Sequence, residues 1–187
     1  MSAEQMRQLM SLMEGKEASH PLARLKISDI DIDDAKRHFD VPLDGQFSSH
    51  QAMVSGFRET KKELISLFGN MTSIPVWRAI ILEYGWKPLK GKPLGRSWAW
   101  DKDGACYATG ITNSRARTYS DAGDRAYILS GSVSPKSVDW AMTVACNTFQ
   151  EREQEIVVFE GEEILLHDLS DAFSGTIIAR YESIFRA

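Results

Sequence analysis

Three places along the chain put polar side chains where they can do chemistry. The first is Arg78, in the apolar segment IPVWRAIIL of residues 74–82. If that segment is a strand, Val76, Arg78, Ile80 and Leu82 share one face. A guanidinium among apolar neighbours is costly unless it meets an anion or reaches water. Its planar fork suits a carboxylate or a phosphate, and a structural ion pair is the competing explanation. The second is Ser97 in GRSWAW, residues 95–100. Alternation sets Ser97 and Ala99 on one face and two tryptophans on the other. A hydroxyl there can orient a ligand or simply end a strand. The third is the run EREQE, residues 151–155, ahead of an apolar IVVF. Glu153 and Glu155 project to the same side of a strand that begins near them. Paired carboxylates repel, which raises one pKa and divides the roles of charge and proton acceptor. A solvated charge run at a strand entrance is the plain alternative.

Other groups offer less. Asp101-Lys102-Asp103-Gly104 is too short for a calcium loop. His20, His38, His50 and His167 show no ligand spacing, and Cys106 and Cys146 make no zinc constellation and one disulfide at most. No metal is expected. Cys106 has no histidine nearby in sequence to make it a nucleophile.

The elements that must position these residues divide the chain in two. Residues 1–70 read as helix and loop. Ser2 and Gln5 suit a capping box, Met6, Leu9, Met10 and Met13 fall on one helical face, and Gly15 can end that helix. A loop at His20-Pro21 follows, then a short helix over 33–39 capped by Asp31 or Asp33. The clearest helix spans 51–68, with Met53, Phe57, Leu64 and Phe68 on one face and Gly69 just past its end. From Ile74 the texture changes to short β-rich segments: 74–82, 94–100, 126–133, 155–159, 163–167 and 176–181. Asp101 can cap a short helix carrying Ala105, Tyr107 and Ala108. Glu160-Gly161-Glu162 reads as the turn of a hairpin, and residues 112–124 as the longest polar connector. Helices first and strands later predict an α+β domain rather than a repeating βαβ fold. No G-x-G-x-x-G follows a strand and no P-loop is present.

Composition narrows the classes. The 187 residues are 43% hydrophobic and 26% charged with a net charge of −4, ordinary for a globular domain. The acidic balance argues against broad nucleic-acid binding, though Arg115, Arg117 and Arg125 form a local basic stretch. No apolar run reaches the ~20 residues of a membrane span, and the N-terminus has no signal-peptide h-region. Two cysteines fit a reducing compartment, so the cytoplasm is the expected location, whether of the producing cell or of a target cell.

Taken in order, VWRAI, then LGRSWAWDKDGACYA, then the tract from YILSGSV to QEREQEIVVFEGEEILL resemble the Arg–Ser–Glu class of mono-ADP-ribosyltransferases of bacterial and phage type. The similarity covers roughly residues 74–169. The resemblance implies an α+β fold with N-terminal helices over 1–70 packed on the same domain, and a split mixed or antiparallel β core of ADP-ribosyltransferase type over 71–187. It implies NAD as substrate, nicotinamide release and a protein acceptor, with an arginine side chain as a candidate. Arg78 resembles the arginine that contacts the NAD phosphates and ribose. Ser97 resembles the first serine of a Ser-Thr-Ser motif, whose other positions here are Trp98 and Ala99. Glu155 resembles the catalytic glutamate, and Glu153 the residue that positions the acceptor. The stretch from Cys146 to Arg152, with Phe149, resembles the target-recognition loop, and Tyr107 is a candidate to stack on nicotinamide. An NAD glycohydrolase on the same fold, or a non-catalytic protein-binding inhibitor module, stays open. The resemblance leaves the target unnamed and fits a toxin, a phage or bacterial effector, or a housekeeping modifier.

Overall fold

The computed structural model describes residues 20–39, 46–111, 124–150 and 154–187. The expected N-terminal helix and residues 112–123 of the expected 112–124 connector lie outside these residues, as does Glu153, while Asp124 begins a strand. By compactness the chain forms two units, one of residues 1–72 with 140–149 and one of residues 73–139 with 150–187.

The first unit is helical. His20 accepts a hydrogen bond at Nδ1 from Leu22 N (3.2 Å) and so caps helix α1, Pro21–Arg24, where a loop was expected. The other end of α1 is held by Lys61, whose Nζ donates to Leu25 O (2.7 Å) and Ala23 O (3.3 Å). Helix α2, Ile32–Phe39, starts at Asp31, whose Oδ1 accepts from Asp33 N (2.9 Å) and Asp34 N (3.0 Å). Helix α3, His50–Phe68, is capped by Ser49 and buries Phe57, Leu64 and Phe68, with Met53 half-buried. Gly69 is its C-cap in the right-handed region (φ −56°), not a left-handed residue beyond the end.

β1, Ile74–Glu83, begins the second unit, followed by β2, Ser97–Ala99. Helix α4, Lys102–Ala108, starts where Asp101 accepts from Asp103 N at 2.7 Å. Then come β3, Asp124–Val133, and a 3₁₀ turn, Pro135–Ser137. Helix α5, Trp140–Phe149, groups with the first unit. Strands β4, Glu155–Val157, β5, Glu163–Asp171, and β6, Ile177–Arg186, complete the second. The protein is thus α+β, with a six-stranded antiparallel sheet in the order β4-β2-β1-β3-β5-β6.

The sheet corrects two expectations. β4 and β5 do not form a hairpin: β4 pairs β2 at one edge, and β5 lies between β3 and β6. The expected turn is present, with Glu162 N donating to Phe159 O (3.2 Å), but it joins no hairpin. Glu162 Oε2 accepts from the Ser137 hydroxyl (2.7 Å), and Gly161 N donates to Ala187 O (3.2 Å). The hairpin is instead β5–β6, whose turn is built on Asp171 Oδ1, which accepts from Phe173 N, Ser174 N and the Ser174 hydroxyl. The second correction is α5, which ends in residues Cys146 to Phe149, part of the stretch expected to be a target-recognition loop. Seven of its ten residues are buried, so the sequence WAMTVACNTF shows no polar face from which to read a helical period.

One sheet face buries Ala79, Ala99, Ala126 and Ile128 together with Ala105 of α4 and Ile111. The opposite pleat carries Val76, Leu129, Leu166 and Leu169, all at most 1% exposed. Among the described residues no helix is long and apolar enough to cross a membrane.

Candidate functional site

The three strands carrying Arg78, Ser97 and Glu155 are consecutive neighbours at one end of the sheet: β1, β2, β4. Register aligns Trp77 with Ala99 and Ala99 with Glu155, while Ser97 faces Val157. Residues opposite one another share a face, so Ser97 and Glu155 belong to the same pleat. Arg78 is one residue along β1, opposite Leu129, on the alternate pleat with Val76 and Ile80.

The guanidinium crosses toward β2 because the sheet opens there. β1 and β2 share the single registered pair Trp77–Ala99. Where the ladder would continue, Arg78 Nη1 donates to Ser97 O at 3.0 Å. Gly95 makes room for it. A Cβ at that position would lie 2.5 Å from Arg78 Nη1, and Gly95 sits at φ +89°. The loop is fixed by Trp98 Nε1, which donates to Gly95 O (2.9 Å). Arg96 Nε donates to Val158 O (3.0 Å), and its Nη2 pairs with Asp139 at 3.3 Å.

Burial lowers the Arg78 pKa, and the Glu155 carboxylate acts in the opposite direction. The group remains a cation, since arginine is effectively always protonated. Among the described residues its one hydrogen bond goes to Ser97 O. Most of its five donors thus make no hydrogen bond among the described residues and suit an anion. The Ser97 hydroxyl, half-buried, also makes no hydrogen bond among the described residues. These donors fit a phosphate-bearing ligand. Glu155 is 6% exposed. It follows Gln154, a non-glycine residue at φ +50° whose carbonyl accepts from Trp100 N (3.0 Å). A left-handed residue costs roughly 1–2 kcal/mol, and this one fixes how the chain enters β4.

The remaining candidates are placed differently. Tyr107 is 55% exposed on α4, whose inward residues are Gly104 and Ala105, so its ring is not the wall of a closed pocket. Phe149 is not on a loop. It ends α5 and meets Phe47 and Phe57 edge-on, with ring centroids at 5.7 and 5.8 Å. It also lines an open cavity of about 600 Å³ with Ile30, Phe47 and Met53. Arg125 is engaged at the far end of β3, where its Nε meets Asp171 Oδ2 at 2.7 Å and its guanidinium lies over the Tyr84 ring; Arg115 and Arg117 lie outside the described residues. The two cysteines form no disulfide, and burial pushes the Cys106 thiol up in pKa. Sequence reading missed Gly95 and Gln154. A glycine at a strand entrance facing an arginine-bearing strand is a signal for close approach; nothing in the type of Gln154 announces its backbone.

Comparison with known proteins returns no match: no protein family, no curated protein and no solved structure is significantly similar to this chain.

Proposed function

We propose that this protein is an NAD-dependent mono-ADP-ribosyltransferase acting on a protein acceptor, with the sheet's β1–β2–β4 end as the core of its NAD site. The observation that carries the reading is the juxtaposition of Arg78, Ser97 and Glu155 on three consecutive strands, with Arg78 bonded to Ser97 O and electrostatically coupled to Glu155. In this reading Arg78 holds the diphosphate through charge-assisted hydrogen bonds. The Ser97 hydroxyl orients the nicotinamide end. As the ribose–nicotinamide bond breaks, its electron pair leaves with nicotinamide and positive charge grows on the ribose, as in glycoside cleavage. Glu155 stabilises that charge more than it stabilises the ground state. The acceptor nucleophile then bonds to the anomeric carbon and loses a proton. Glu153 is proposed to orient an arginine acceptor and receive that proton. Phe149 in its helix-end position, and Tyr107 on its exposed ring, are secondary candidates for target and nicotinamide contacts.

A second reading is favoured by the Arg78–Ser97 O bond and the fit against Gly95: Arg78 then fastens β1 to β2 in a non-catalytic binding module. Incubation with labelled NAD and a cell lysate separates the readings. Label on protein supports the transferase, free ADP-ribose points to the glycohydrolase, and an intact NAD pool supports the binding module. Glu155→Gln, folded by circular dichroism, is expected to lose turnover by about 10²-fold or more. Arg78→Lys keeps charge but not the fork, so it is expected to weaken NAD binding in calorimetry. A change confined to the melting temperature would favour the structural fastener.

A further inference from the structure

Between Glu83 and Asp101 the chain carries Lys87, Lys90, Lys92 and Arg96 and no acidic residue, although its net charge is −4. Arg96 is committed to Asp139 and to Val158 O. The three lysines are exposed, and among the described residues their ammonium groups make no hydrogen bond and no ion pair. The loop that carries them is anchored along its length. It opens with a turn in which Trp86 N donates to Glu83 O (3.2 Å). Gly85 N then donates to the Tyr127 hydroxyl (3.0 Å), and the Trp86 ring packs with its centroid 6.1 Å from that of Tyr127. Pro88 is buried. A second turn is closed by Lys92 N donating to Leu89 O (3.0 Å), with Gly91 in third place at φ +83°, where such a turn calls for glycine. At the far end Leu94 N donates to Arg186 O (2.8 Å). The backbone under the lysines is therefore held before any partner arrives, which lowers the ordering cost of binding.

Leu89, 63% exposed, stands between Lys87 and Lys90, with Lys92 across the turn. An apolar knob flanked by cations suits a protein surface whose carboxylates rim an apolar hollow. A nucleic acid suits it less. A phosphate backbone makes no use of Leu89. The nearby rings are engaged, Trp86 with Tyr127 and Tyr84 with the Arg125 guanidinium, whereas single-stranded bases stack on aromatic faces left open to them. A chain of net negative charge also disfavours a long polyanion. The loop runs on into Gly95, the residue that makes room for the Arg78 guanidinium, so a partner seated on it is delivered to the β1–β2 end of the sheet.

We propose that the loop of residues 87–92 docks an acidic surface of a partner protein. The partner is the acceptor protein, an identification that rests on the transferase reading above. The first measurement needs no NAD. Fluorescence anisotropy compares a labelled peptide of glutamate and leucine with a labelled oligothymidylate of equal charge. The peptide is expected to bind the unaltered chain more tightly than the oligothymidylate does, and to bind less as salt rises. Lys87→Glu, Lys90→Glu and Lys92→Glu together are expected to weaken peptide binding at least about tenfold. The second measurement uses labelled NAD and a cell lysate. The same triple variant is expected to lose label on protein at least about tenfold while its release of free ADP-ribose is unchanged. The three side chains are exposed, so the variant is expected to fold; if circular dichroism shows otherwise, Lys87→Gln, Lys90→Gln and Lys92→Gln together repeat both measurements. A chain that binds the peptide but leaves NAD intact overturns the transferase reading and supports the docking surface. A peptide that does not bind, peptide binding or protein labelling that the variant retains, an oligothymidylate that binds as tightly as the peptide, or equal losses of transfer and hydrolysis would each overturn the proposal.

Discussion

The two ends of the sheet are built differently. From β1 through β3 and β5 to β6 the strands are nine or ten residues long and meet in ladders of ten, seven and seven registered pairs. From β1 through β2 to β4 the two added strands are three residues each, and the ladders have one and three pairs. The long end is held by backbone ladders and by apolar rows such as Leu129 and Leu169. The short end is held by side chains reaching backbone carbonyls: Arg78 to Ser97 O, Arg96 to Val158 O and Trp98 to Gly95 O. Short ladders leave polar groups uncommitted, and the candidate chemistry lies there. The contrast places the longest ladders at one end and the proposed binding site at the other, and both halves of it can be broken.

The largest effect belongs to the long end. Leu169 is 0% exposed and sits opposite Leu129 and Ala179. Leu169→Ala is expected to cost about 2–5 kcal/mol in urea unfolding, while the NAD binding proposed for the short end is expected to be unchanged in the protein that remains folded. A loss well under ~1 kcal/mol would mean that the long ladders are not where stability resides.

A smaller effect tests the short end. Gly91 and Gly95 both have positive φ, +83° and +89°. A Cβ at Gly91 meets nothing within 4 Å, whereas one at Gly95 meets the Arg78 guanidinium. Gly91→Ala is expected to cost about 1 kcal/mol from backbone strain alone. Gly95→Ala is expected to cost about 1–3 kcal/mol and also to weaken NAD binding, because the guanidinium must move. Equal melting temperatures and equal NAD titrations for the two variants would remove Gly95 from the site.

How far the sequence revealed this contrast depends on the kind of signal. Caps and alternation were legible: Asp31 before α2 and Asp101 before α4, and the alternating pleat of Val76, Arg78 and Ile80, each follow from local chemistry. Strand pairing was not. The segments 155–159 and 163–167 look like a hairpin because they are adjacent and separated by Glu-Gly-Glu, yet β4 pairs the distant β2, and β5 pairs the distant β3 and the strand that follows it. Pairing is decided by long-range burial that a local pattern does not carry. Helix α5 was hidden because it is buried nearly all round. At the candidate site, residue types drew attention to Arg78, Ser97 and Glu155. The opening of the sheet that lets Arg78 reach Ser97 O depends on Gly95 and on the strand register, which residue types alone do not encode.

The smallest effect concerns pH and separates the long end of the sheet from the helical unit. Burial by itself would raise the Asp171 pKa. Hydrogen bonds from Ser174 N, Arg125, the Ser174 hydroxyl and Phe173 N together hold it below its ordinary value. The unfolded chain therefore takes up the proton first. The stability this carboxylate contributes is complete above its unfolded pKa of about 3.9 and is lost as pH falls through the lower folded value. His20, in the helical unit, has its pKa lowered by burial. Its Nδ1 must stay unprotonated to accept from Leu22 N, and its Nε2 is buried with no hydrogen-bond partner among the described residues. The same sign applies: its contribution is complete above an unfolded pKa of about 6.5 and is lost as pH falls through the folded value. Urea midpoints measured between pH 3 and pH 8 are thus expected to fall in two stages, one beginning near 6.5 and one near 4. Asp171→Asn should remove the acid stage and leave the upper one, and His20→Gln should do the reverse. If Asp171→Asn leaves the acid stage unchanged, the turn at Asp171 is not what acid releases, and the long end owes its stability to burial alone.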